Sequence, residues 1–147
     1  MAAPGLLLAQ RDPGIGTWKL NLAKSKYDSP AQPPKSETEK VEAQRDGSTK
    51  ISFEGVAADG SAIAFSFTTK YDGKDSPVSG AGPNGQDSIA VKRIDLYTVT
   101  SISKKGDTMV AAAKTVISKD GKVMTLTSNG VDPEGNSRKV VLVWDKQ

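Results

Sequence analysis

Along most of the chain apolar and polar residues alternate, rather than apolar residues recurring at intervals of three and four, and a period of two predicts strands. Trp18, Leu20 and Leu22 share one side of a first strand, while Thr17, Lys19 and Asn21 take the other. Further strands are predicted at 36–44, around Ile51 and Phe53, and at 62–71, 88–93, 96–103, 108–118, 123–129 and 137–146. The alternation is clearest in 62–71, where Ile63, Phe65, Phe67, Thr69 and Tyr71 fall on one parity. Asp46-Gly47, Asp59-Gly60, Gly106-Asp107, Asp120-Gly121 and the Pro133–Gly135 stretch supply the residues that tight turns need. Short turns make sequential strands antiparallel neighbours and leave no room for parallel crossovers. No segment of ten or more residues carries a helical hydrophobic period.

Two stretches break the alternation. Residues 23–36, AKSKYDSPAQPPKS, hold three prolines among small polar residues and are predicted as a loop crossing one end of the sheet. Residues 72–87, DGKDSPVSGAGPNGQD, hold four glycines and two prolines and are predicted as a disordered connection or a functional flap. The segment 45–61 also resembles 119–136, with Gly55-Val56 matching Gly130-Val131, a likeness that two hairpins of one meander share without any duplication.

About nine antiparallel strands with one apolar face leave that face and two edges exposed unless the sheet closes on itself. The expected fold is therefore all-β, a single up-and-down antiparallel barrel of about 8–10 strands. Closure pairs the first strand with the last, whose sequence RKVVLVWDK is apolar on both faces. Trp18 and Trp144 then meet at one barrel end, where each contributes on the order of 3–5 kcal/mol by its burial, and Gly16 lets the chain bend beneath them.

The totals fit one such domain. A chain of 147 residues buries a core without disulfides or metal, and a formal charge of +3 spread through scattered lysines suits solubility more than an anionic partner. With neither cysteine nor histidine, thiol nucleophiles, imidazole bases and the usual zinc, copper and haem ligands are missing. No cofactor is called for. Residues 1–12, which open MAAPGLLLAQ, resemble the end of a secretory leader, so the expected layout is a leader or disordered start at 1–12 and a barrel at 13–147, in a secreted or periplasmic protein. Ten apolar residues are too few to span a bilayer, and no integral membrane segment is expected.

Gly16-Thr17-Trp18 heading the first strand, a run of short up-and-down strands and a last strand returning to that tryptophan resemble the calycin group. Within it the chain is similar to lipocalins and fatty-acid-binding proteins, and more closely to small exported bacterial lipocalin-like proteins. The resemblance implies a lumen for one small apolar or amphipathic ligand. It also implies an arginine near the end of the last strand packed on the first-strand tryptophan, whereas here the only nearby cation is Lys146.

Phe53, Phe65, Phe67 and Met124, with Val91, Val99 and Leu126, are the expected lining. Parity directs Arg93 and Arg138 inward as well, unless their heads reach water at strand ends. Because fatty-acid-binding proteins hold a carboxylate with interior arginines and a tyrosine, the resemblance makes Arg93, Arg138 and Tyr97 the expected anion site. Two other readings stay open: a barrel enzyme using Asp72, Lys74, Asp75 or Asp87, and a filled barrel with a structural role. Nothing matches a phosphate loop or a nucleophile elbow, and clustered lysines interleaved with exposed aromatics, as nucleic-acid binding needs, are missing.

Overall fold

The computed structural model describes residues 12–28, 32–82, 85–131 and 135–147. Its strands are β1 (Gly16–Leu20), β2 (Lys26–Tyr27), β3 (Ser36–Ala43), β4 (Thr49–Val56), β5 (Ala62–Thr69), β6 (Asp72–Pro77), β7 (Ser79–Gly80), β8 (Ser88–Asp95), β9 (Thr98–Lys105), β10 (Thr108–Ile117), β11 (Val123–Val131) and β12 (Ser137–Lys146). All pairings are antiparallel, and the sheet runs β6-β8-β9-β10-β11-β12-β1-β3-β4-β5-β7. The result is the all-β barrel that the alternation predicts.

β1 joins the two halves of the chain. It pairs with β12 through Trp18 and Lys146, Lys19 and Asp145, and Leu20 and Trp144, and on its other side with β3 through Gly16 and Val41 and through Trp18 and Glu39. The two ends therefore close the sheet where the sequence places the closure.

The barrel is not edgeless, however. β6 and β7 are successive stretches of one run interrupted at Val78, the first bonded to β8 and the second to β5. Among the described residues no strand pairing joins β6 to the end of β5, so the wall carries a seam there. The expectation that 72–87 lacks regular structure is corrected for 72–80 by the same pairing, because the ladder is made by backbone groups and needs no apolar alternation when a neighbour offers its edge. Residues 83–84 lie outside the described residues. Two smaller corrections concern strand bounds: Lys26 and Tyr27, inside the proline-rich loop, pair with Val141 and Val140, and Leu96 and Tyr97 form the β8–β9 turn rather than opening a strand.

The core gathers at one end. Met124 pairs with both Ile117 and Trp144, Trp144 with Leu20, Val41 with Ile51, and Ile51 with Phe67, so the buried apolar residues occupy adjoining rows. Trp18 and Trp144 are the largest fully buried side chains. Residues 12–15 pass beneath this end, where the Trp18 Nε1 donates to the Gly14 carbonyl at 2.8 Å and Ile15 packs on the core. Asp12, expected outside the barrel, belongs to this plug, whereas residues 1–11 of the expected leader lie outside the described residues.

Candidate functional site

Within the barrel every second residue of each long strand faces inward, and together these residues enclose a cavity of about 630 Å³. That volume falls in the range of small-molecule sites. It exists because the two walls are unequal. β4 and β5 contribute Ile51, Phe53, Ile63, Phe65 and Phe67, whereas β9, β10 and β11 contribute, alongside Val99, Ile117, Met124 and Leu126, a patch of small side chains: Ser101, Ser103, Ala111, Ala113, Thr115 and Ser128. Small side chains on one wall leave unfilled the space that the aromatics of the other do not reach. Phe53 and Phe65 stack with centroids 4.5 Å apart and planes 14° apart, and Trp144 meets the Phe53 ring edge-on at 6.0 Å.

Arg93 closes the plugged end. Its Nη2 lies 3.0 Å from the Asp12 carboxylate, its Nη1 donates to the Leu96 carbonyl at 3.2 Å, and its guanidinium sits 4.2 Å from the centre of the Tyr71 ring. Burial, reinforced by the neighbouring Asp12 carboxylate, pushes the Tyr71 phenol well above its ordinary value. Tyr71 holds this place with a left-handed φ of 58°, the one non-glycine residue with positive φ among the described residues.

All seven residues singled out from the sequence border the cavity: Phe53, Phe65, Phe67 and Met124 on its apolar surface, and Arg93, Tyr97 and Arg138 at polar points. The three expected to grip an anion do not converge. Arg93 shares a row with Val99, Thr115, Leu126 and Leu142, and Arg138 lies four residues from Leu142 along β12, about 13 Å at strand rise. Parity fixes the face a side chain takes and leaves its height along the barrel undetermined.

Two acids were not singled out. Glu37 and Glu39 share the inward parity of Val41 on β3, and both border the cavity. Glu39 is only 8% exposed and makes no hydrogen bond or ion pair with any described residue. Burial pushes Glu37 up to about 7, and burial followed by the charge of Glu37 pushes Glu39 up to about 8. Tyr27, on β2 beside them, rises to about 12, through burial and then Glu37. The missed signal is plain in SETEKVEA: if Val41 faces inward, so do Glu39 and Glu37.

The proposed acid and base residues do not reach this space. Asp75 pairs with Lys104 at 3.3 Å on the exposed surface, Asp72 accepts the Lys74 amide, Asp87 accepts the Gly106 amide, and none of Asp72, Lys74, Asp75 and Asp87 borders the cavity. Among the described residues no group of three or more acids is placed to hold a metal ion, and no helix is long and apolar enough to cross a membrane.

No protein-family model matches the chain, and no curated protein matches its sequence. Solved structures do match its fold. Wild-type fluorescent protein UnaG superposes with a TM-score of 0.59 at 11% identity over 90% of this chain and 96% of that one. Zebrafish ileal bile acid-binding protein, complexed with cholic acid, gives 0.55 at 13% identity over 92% and 99%. The chain has the calycin fold. A third calycin barrel, the amine-binding protein of Rhodnius prolixus in its tryptamine complex, gives 0.52 at 14% identity, covering 93% of this chain and 65% of that one.

One departure from the calycin resemblance is filled by a different residue. The Lys146 Nζ lies 5.2 Å from the centre of the Trp18 ring and donates to the Ile15 carbonyl at 2.7 Å and the Pro13 carbonyl at 3.3 Å. A lysine thus covers the first-strand tryptophan where the resemblance implies an arginine.

Proposed function

We propose that this calycin barrel binds one small apolar or amphipathic molecule in its lumen. The observation that carries the reading is the 630 Å³ cavity, walled by Phe53, Phe65 and Phe67 on one side and, on the other, by aliphatic residues with a patch of small ones around Ser101, Ala113 and Ser128. Filling such a space with side chains would have strengthened the core, so keeping it open has a use that stability does not explain. That its fold neighbours include barrels solved with cholic acid and with tryptamine supports ligand binding in general. The fatty-acid-like version of the ligand has less support, because Arg93 is neutralised by Asp12 and stands well away from Arg138 along the barrel. Export to the periplasm or beyond rests on the MAAPGLLLAQ stretch and is proposed with it.

Titration with the fluorescent apolar probe N-phenyl-1-naphthylamine tests the reading. Saturable enhancement is expected in the wild type, and Ala113→Phe, which places a ring in the cavity, should abolish it while the circular dichroism of the barrel persists. Equal binding by both proteins would move the site to the outer surface and sink the lumen reading.

A further inference from the structure

We infer that Glu39, assisted by Glu37, makes the lumen selective for apolar molecules carrying a cationic nitrogen head with N–H donors. The inference rests on the lumen reading and adds the chemistry of the head group. Glu39 lies in the sheet row between Trp18 on β1 and Phe53 on β4, with Val41 and Glu37 as its same-face neighbours on β3. Glu39 is nine-tenths buried beside indole, phenyl and isopropyl groups, and its carboxyl, bonded to no described residue, borders the lumen, so a lumen occupant is placed to satisfy it.

Among the described residues the other charged and titratable groups around the cavity do not supply that partner. At the plugged end Arg93 is neutralised by Asp12, with Tyr71 and Tyr97 beside it. Toward the mouth stand Tyr27, an acceptor or donor without charge in the ordinary range, and Arg138, which has an interaction of its own and makes none with Glu39. Against Arg138 stand two carboxyls, so the lumen has an excess of acid when both are ionised. An ammonium or amidinium entering there donates a charge-assisted hydrogen bond to Glu39 while its hydrocarbon body packs on Phe53 and Phe65. The raised positions of both acids fit the same picture, since they are carboxyls held without a counter-charge, and a bound cation would draw them down.

The test displaces N-phenyl-1-naphthylamine with decylamine, decanol and decanoate, which share one chain and differ in the head. At about pH 9 decylamine should compete about tenfold more strongly than decanol, with decanoate weakest, the margin of one charge-assisted hydrogen bond. The advantage should shrink toward about pH 6, where the acids are protonated and the amine is still charged. Glu39→Gln should remove the amine preference, bringing decylamine to the level of decanol, and Glu37→Gln should weaken the preference in part. Equal competition by decylamine and decanol, or an unchanged preference in Glu39→Gln, overturns the inference and leaves lumen binding standing. Failure of the wild type to bind the fluorescent probe or any of the three competitors overturns the lumen reading and this inference together.

Discussion

Lys146 lies across Trp18 with its Nζ 5.2 Å from the ring centre, and the stem of the same lysine runs over Gly16. A Cβ at position 16 would stand 2.8 Å from the Lys146 Cε, and Gly16 itself has a φ of 136°, which side-chain-bearing residues rarely adopt. The glycine, the tryptophan and the final lysine therefore form one device: the bend at Gly16 admits the lysine that ties the plug to the last strand. Gly16→Ala should destabilise the barrel by roughly 1–3 kcal/mol. Lys146→Ala should cost about 1–2 kcal/mol through the lost ring contact and carbonyl bonds, and Lys146→Arg clearly less. Urea unfolding of the three variants checks the order.

The two buried tryptophans differ in one bond. Trp18 Nε1 donates to Gly14, whereas Trp144 Nε1 is buried with no partner among the described residues. Replacing each by Phe removes similar volume, but only at position 18 does it leave a carbonyl without its donor. Trp18→Phe is therefore expected to cost about 1–2 kcal/mol more than Trp144→Phe. Equal losses in matched denaturation curves would contradict the bond's importance.

Face and closure were legible in the sequence because both depend on parity and on the two ends of the chain. Ile63, Phe65 and Phe67 face inward, as alternation implies, and the first strand pairs with the last, with Trp18 and Trp144 in one core cluster although their direct partners are Lys146 and Leu20. What was not legible depends on relations between strands. The hollow lumen comes from Ser101, Ala113 and Ser128, each unremarkable on its own strand and joined only by register. Glu37 and Glu39 are hard to place from the sequence because their strand is mostly polar and one valine alone reveals the parity of the whole. The strand at 72–77 has no side-chain pattern at all and exists because β8 offers it an edge.

Stability should fall as pH rises through the range of the two acids. In the unfolded chain Glu39 and Glu37 ionise near the ordinary carboxylate value, whereas in the barrel they hold their protons up to about 8 and about 7. The folded state thus binds more protons between about pH 4.5 and pH 8, so this contribution is complete below the unfolded value and is lost on the way to the folded one. Melting temperature should decline across that window, and Glu39→Gln should flatten the decline and raise the value at about pH 8 by several degrees, about 2–4 °C per kcal/mol recovered. A profile in the variant as steep as in the wild type would assign the dependence to other groups.

The surface carboxylates of 72–87 should prove structural or idle. The pair of Asp75 with Lys104 is exposed on both sides, so Asp75→Asn should change stability by less than about 0.5 kcal/mol. Asp87 caps the β9–β10 turn through the Gly106 amide, and Asp87→Ala should cost about 0.5–1.5 kcal/mol. Probe binding should be unchanged in both, and a loss of binding in either would return this segment to the site.

Filling the lumen should separate stability from binding. Ser101 and Ala113 face each other across the β9–β10 ladder and point into empty space, so enlarging them adds apolar contact without meeting a packed neighbour. In an ordinary core the same change overpacks and costs about 1–3 kcal/mol. Here Ser101→Leu with Ala113→Leu is expected to leave the melting temperature equal or higher, since two more side chains gain about 1–2 kcal/mol of burial between them. N-phenyl-1-naphthylamine affinity should fall steeply in the same protein. A barrel that gains stability as it loses its ligand has kept its hollow at the expense of packing, whereas a destabilised double variant would mean that Phe53 and Phe65 already fill the space and that the cavity is too small to carry a ligand.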